Sequence, residues 1–176
     1  RFMGEMKKAM ACYDKAIGIC VDKGYKQKLA FLYGSKGQIY YELASYNEAK
    51  LNLKKAKEIY EIIDADWGKY ITLGYYGLIK LREGKYKESN LIINEVEVYY
   101  KDKKNHYELA FMLRIKAEIC YYIRANKIDN PLYKNISTAD NKYCDKAINQ
   151  LKGIHLTYEV ELLEKMNDLC GFCKRM

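Results

Sequence analysis

"GQIYYELASYNEAKLNLKKA", residues 37–56, returns in altered form as "GLIKLREGKYKESNLIINEV", residues 77–96. The two stretches begin 40 residues apart, and the offset runs on beyond them. Gly37, Gly77 and Ala117 share it, as do Tyr40, Lys80 and Cys120. So do Ala9, Ala49 and Ser89, then Tyr13, Leu53 and Ile93, then Ala16, Ala56 and Val96. A period of this length marks stacked supersecondary units, each unable to bury its apolar face alone. Steps of four and three between Ala9, Tyr13 and Ala16 put them on one face of a helix.

Each unit reads as two antiparallel helices. The first, from about Tyr25 to Leu43, carries Ala30, Tyr33, Gly37 and Tyr40 on one stripe. The second, from about Asn47 to Ile63, carries Ala49, Leu53, Ala56 and Tyr60. "ASYNEA" and "EGKYKES" separate the paired helices, and Gly84 suits the left-handed residue that ends a helix. Gly37 and Gly77 fall mid-helix, where Gly costs about 1 kcal/mol relative to Ala. Their recurrence predicts close approach of two backbones, with Ala49 and Ala56 as the small residues opposite.

Composition agrees with an all-helical chain. One Pro in 176 residues leaves helix interiors intact. The formal charge of +8 raises the prospect of an acidic partner, yet Lys and Glu are interleaved along helices. Direct contact with nucleic acid is therefore not expected. No apolar run approaches the roughly 20 residues that span a bilayer, so no membrane role is expected. No secretory signal is visible in these residues, and the opening on Arg1 leads us to expect a C-terminal piece of a longer protein. Of six cysteines, Cys12, Cys20, Cys120 and Cys144 occupy apolar helical positions as small hydrophobes. A reducing, cytoplasmic setting follows.

Motifs for chemistry are sparse. "CGFC", Cys170 to Cys173, has redox-pair spacing but closes a helix instead of opening one. It could also be half a zinc site, but the second pair is missing and His155 is turns away. His106 and His155 have no Cys or Asp partner for nucleophilic work. Phosphate-cradling glycine loops are absent. Trp67 reads as a packing anchor between repeats, with Asp64 or Asp66 as the helix cap. No enzyme, cofactor, metal site or catalytic residue is expected.

The pattern of Gly37, Tyr40, Tyr46, Ala49, Leu53 and Ala56, with its echo Gly77, Gly84, Tyr86, Ser89, Ile93 and Val96, resembles the tetratricopeptide repeat. The period is longer than the common 34-residue form and is similar to the extended variant of bacterial regulators and kinesin light chains. The resemblance implies a right-handed superhelical solenoid of helical hairpins, about nine helices in one domain, 1–176. Its parts would be a second helix alone (3–24), repeats at 25–64, 65–104 and 105–154, and a capping helix at 155–173. Lys36 and Lys116 depart from the pattern, standing where the family has Leu, their stems expected to lie along the groove between helices. "DKAI" at 14–17 and 145–148 are 131 apart, three periods plus 11, which places an 11-residue insertion near 126–136.

In such an array the first helices line a concave groove. The register assigns to it Phe31, Gln38, Tyr41 and Glu42, then Ile71, Gly74, Leu78, Leu81 and Arg82. From the fourth repeat it assigns Phe111, Arg114, Glu118, Tyr121 and Tyr122. Aromatic rows with occasional charges suit an extended peptide or a partner helix. The resemblance implies the interaction and sensing region of a bacterial transcription regulator or signalling ATPase. An assembly module, dimerising through the front helix, is the other expectation.

Overall fold

The computed structural model describes residues 2–101, 106–128 and Asn149. Six helices lie among them: α1 (Phe2–Asp22), α2 (Lys26–Glu42), α3 (Tyr46–Ile62), α4 (Asp66–Arg82), α5 (Tyr86–Lys101) and α6 (His106–Ala125). No strand occurs among the described residues, so the chain is all-α there. The expected second helix of the fourth repeat and the capping helix at 155–173 lie outside the described residues; with them the count would be eight, against the expected nine or so.

The starts of α2 to α6 fall at 26, 46, 66, 86 and 106, so the 40-residue sequence period is built from two 20-residue halves. The turns explain the regularity. Gly24, Ala44, Asp64 and Gly84 all adopt positive φ, between 54° and 73°. At each, the amide of the left-handed residue bonds the carbonyl three residues back, as Ala44 does to Tyr41. The following amide bonds the carbonyl five residues back, as Ser45 does to Tyr40. This is the Schellman closure, which satisfies two orphan carbonyls and reverses the chain in three residues. Asp64 is thus the left-handed residue and not a cap. Ala65 precedes α4, its carbonyl accepting from Gly68 and Lys69. Asp66 is the first helical residue, where its charge favours the positive helix end.

α6 departs from the rhythm. One period after Arg82 its end would fall at 122, yet the helix continues to Ala125 and closes through Lys127 at φ 50°. Extra length near the expected insertion therefore begins as helix, at Ile123 to Ala125. The rest of that insertion lies outside the described residues.

The chain divides into two compact units, residues 1–79 and 80–176, with the boundary inside α4. In the first unit α2 packs against α1 and α3. Gly37 is buried, and a Cβ there would meet Leu53 Cγ at 2.6 Å and the Leu53 amide nitrogen at 3.2 Å. The inferred close approach is seen at Gly37, with Leu53 opposite it and not one of the alanines. Ala30, Ala56 and Tyr60 form a core on which Tyr33, Ile59 and Trp67 lean. Burial pushes the Tyr60 hydroxyl up to about pKa 12. Trp67 meets the Tyr60 ring edge-on, centroids 5.3 Å apart, which gives it the anchoring role expected of it.

In the second unit α5 packs against α6. Ile93, Val96, Tyr100, Met112, Ile115, Ile119 and Ile123 are buried. Lys80 Nζ meets Glu88 Oε2 at 2.6 Å, and this bond holds the Glu88 carboxyl below its ordinary range.

Residues 36, 76 and 116 share a register and a device. Each sends a long, polar-tipped side chain to the preceding second helix. Lys36 reaches Asp14 on α1 at 2.6 Å. The Tyr76 hydroxyl donates to the Lys50 carbonyl on α3 at 2.9 Å. Lys116 donates to Glu97 on α5. The lysine stems do lie between helices, as expected, and their ammonium groups end on carboxylates.

Candidate functional site

Two registers on the first helices carry the expected groove: Gln38, Leu78 and Glu118, and one turn later Glu42, Arg82 and Tyr122. A spacing of four places each pair one above the other on its helix. On α2, Gln38 Nε2 donates to Glu42 Oε1 at 3.2 Å.

In the second unit the same registers converge. Arg82 Nη2 donates to Glu118 Oε1 at 3.0 Å. Its guanidinium carbon lies 4.2 Å from the Tyr122 ring centroid. The carboxylate bond is charge-assisted and stronger than a neutral one. The ring adds about 0.5–2 kcal/mol, more as water is excluded. Arg82 keeps 21% of its side chain exposed and Glu118 keeps 10%. The cation is thus positioned by two groups from the neighbouring first helix while an edge still meets water. Such a cluster can recognise a partner electrostatically and offer it a ring.

The remaining expected residues separate by burial. In the first unit Phe31 and Glu42 are exposed, and Gln38 and Ile71 are half-buried. Tyr41, Gly74 and Leu78 are buried, Tyr41 with its ring near those of Tyr46 and Tyr75. In the second unit Phe111, Tyr121 and Tyr122 are half-buried, whereas Leu81, Arg114 and Glu118 are buried. Phe111 meets Tyr100 edge-on, centroids 6.0 Å apart. The buried members have packing roles in this conformation, and the exposed and half-buried ones form the accessible surface.

One feature escaped the sequence reading. A cavity of about 550 Å³ opens in the first unit, lined by Ala16 and Cys20 of α1, Gln27, Lys28 and Phe31 of α2, and Trp67 of α4. The signal for it lay in one register: residue 60 is Tyr, residue 100 is Tyr, and residue 20 is Cys.

Among the described residues no group of His, Cys, Asp and Glu could hold a metal ion. Cys170, Cys173 and His155 lie outside them. No described helix is long and apolar enough to cross a membrane. Searches with the sequence and the structure match no protein-family model, no curated protein and no solved structure.

Proposed function

We propose that this chain is a non-catalytic protein- or peptide-binding module of the tetratricopeptide-repeat type. In this reading the hairpins continue as a right-handed solenoid, and the first helices present their accessible side chains to an extended peptide or partner helix. The observation that carries it is the Arg82 guanidinium held between Glu118 and Tyr122. A long cation is costly to order, and here the ordering is done before a partner arrives, which lowers the cost of binding. The setting would be the cytoplasmic sensing or interaction region of a larger bacterial regulator, in which partner binding biases the activity of an attached domain.

The test is selection of a random-peptide display library against the intact chain. A related family of peptides should be enriched, and Tyr122→Ala should weaken their binding about tenfold or more, with helicity unchanged. No enrichment, or peptides that bind Tyr122→Ala as well as the parent, would overturn the reading.

A second reading, homotypic assembly through α1, is favoured by one observation. Ala49, Leu53 and Ala56, like Ser89, Ile93 and Val96, are buried. Their α1 counterparts are not: Ala9 is exposed, and Tyr13 and Ala16 are half-buried. Sedimentation would show a dimer that Tyr13→Glu dissolves. A monomer at every concentration would exclude it.

A further inference from the structure

We propose that the cavity beside Phe31 binds a small aromatic acid, its ring seated where the other repeats place a tyrosine of their own and its carboxylate at Lys28. This goes beyond the peptide-binding reading and does not depend on it.

The argument starts from the shared register of Cys20, Tyr60 and Tyr100. All three are buried, at 6%, 3% and 1% exposure. The two tyrosines fill their seams with rings and find aromatic neighbours. Tyr60 meets Trp67 at 5.3 Å, and Tyr100 meets Phe111 at 6.0 Å, both edge-on. Phe111 is two periods after Phe31. Phe31 therefore stands where a seam tyrosine would meet it, but its register partner is Cys20, which carries no ring. The consequence is visible in both directions: Phe31 is 58% exposed, and the space beside it is open.

Gly68, one period after Lys28, makes room for the Tyr60 ring, since a Cβ there would lie 2.3 Å from it. A glycine is not a general need of a seam tyrosine, since Glu108 has that register after Tyr100; after Cys20 the residue is Lys28. Where the other two seams have a ring, this one has a thiol, with an ammonium eight residues on. An empty apolar cavity of about 150 Å³ already accepts benzene. At about 550 Å³ this one falls in the range of small-ligand sites and holds a substituted ring.

Charge selects the substituent. Lys28 lines the cavity, and among the described residues no acidic one does. The first turn of α2 also has no acidic residue, whereas α3, α4 and α5 have Glu48, Asp66 and Glu88 there. Its positive end is not offset from within its own first turn, and Lys26 and Lys28 add to it. An anion at the mouth and an aromatic body inside match this lining.

Trp67 is the only tryptophan and lines the cavity, so its fluorescence reports occupancy directly. Titration of the intact chain with 3-(4-hydroxyphenyl)propionate should give a saturable change. Cys20→Tyr, which supplies the missing ring from within, should abolish it while melting at or above the parent temperature. Phe31→Ala, at an exposed position that adds no bulk, should weaken binding about tenfold. Lys28→Gln should do likewise for the acid but leave 4-ethylphenol unaffected. No saturation, or unchanged binding in both Cys20→Tyr and Phe31→Ala, overturns the site. Equal affinity for 4-ethylphenol and the acid in the parent overturns the acid assignment. Tighter binding of a neutral tyrosine-containing peptide would assign the cavity to a protein partner and overturn the proposal.

Discussion

Two glycines one turn apart in α2 show how finely side-chain volume is set at a single residue. Gly37 and Gly34 lie in the same helix, and both point toward α3. A Cβ on Gly37 would stand 3.2 Å from the Leu53 backbone nitrogen, an atom that cannot rotate away. A Cβ on Gly34 would meet only the Ala56 methyl, at an ordinary 3.9 Å. Gly34→Ala should therefore stabilise the chain by about 0.5–1 kcal/mol, because Ala loses less entropy in a helix. Gly37→Ala should cost about 1–3 kcal/mol through overpacking, despite the same propensity gain. Urea melts of the two variants would check this. Shifts of the same sign would mean that the close approach of α2 and α3 does not decide the outcome. The sequence marked Gly37 by its 40-residue echo, and the structure supplies the reason for it.

At the scale of the element, one Schellman turn repeated every 20 residues fixes the helix lengths. Of the four left-handed positions spaced 20 apart, two are occupied by Gly24 and Gly84, and two by Ala44 and Asp64. An L-residue with a Cβ is strained there by about 1 kcal/mol or more, and Gly is not. Ala44→Gly should raise stability by about 0.5–1 kcal/mol, and Gly84→Ala should lower it by about 1 kcal/mol. Thermal unfolding of both variants tests this, and a loss on Ala44→Gly would contradict it. The sequence revealed the turn where Gly84 stood, and hid it where Ala44 and Asp64 took the strained conformation. For that reason Asp64 reads naturally, and wrongly, as a helix cap. The lysines at 36 and 116 were also only half legible. The placing of their stems came from the resemblance, but their carboxylate partners, 22 and 19 residues earlier, depend on helix packing that no local pattern encodes.

At the scale of the whole molecule, the 40-residue register was legible because small residues must recur wherever paired helices nest. The accessible face was less so. Successive helical residues are about 100° apart, so Tyr41 turns into the core while its neighbour Glu42 meets solvent. The register put Arg82, Glu118 and Tyr122 on one expected groove, but showed neither that they meet nor how deeply each is buried. The seam register has a further global consequence, because Tyr60 is sealed within it. Its hydroxyl titrates near 12 when folded and near 10 when unfolded, with burial as the cause. Between those values the unfolded chain has released this proton and the folded chain has not, so stability falls as pH rises. The contribution is complete below pH 10, and about 2 kcal/mol of it is lost by pH 12. Denaturation of the parent and of Tyr60→Phe at pH 9, 10 and 11 isolates this group from the other tyrosines. The parent should lose stability faster, through whichever transition unfolds residues 1–79. Parallel pH profiles would mean that water reaches the Tyr60 hydroxyl, and that the seam is open where this structure closes it.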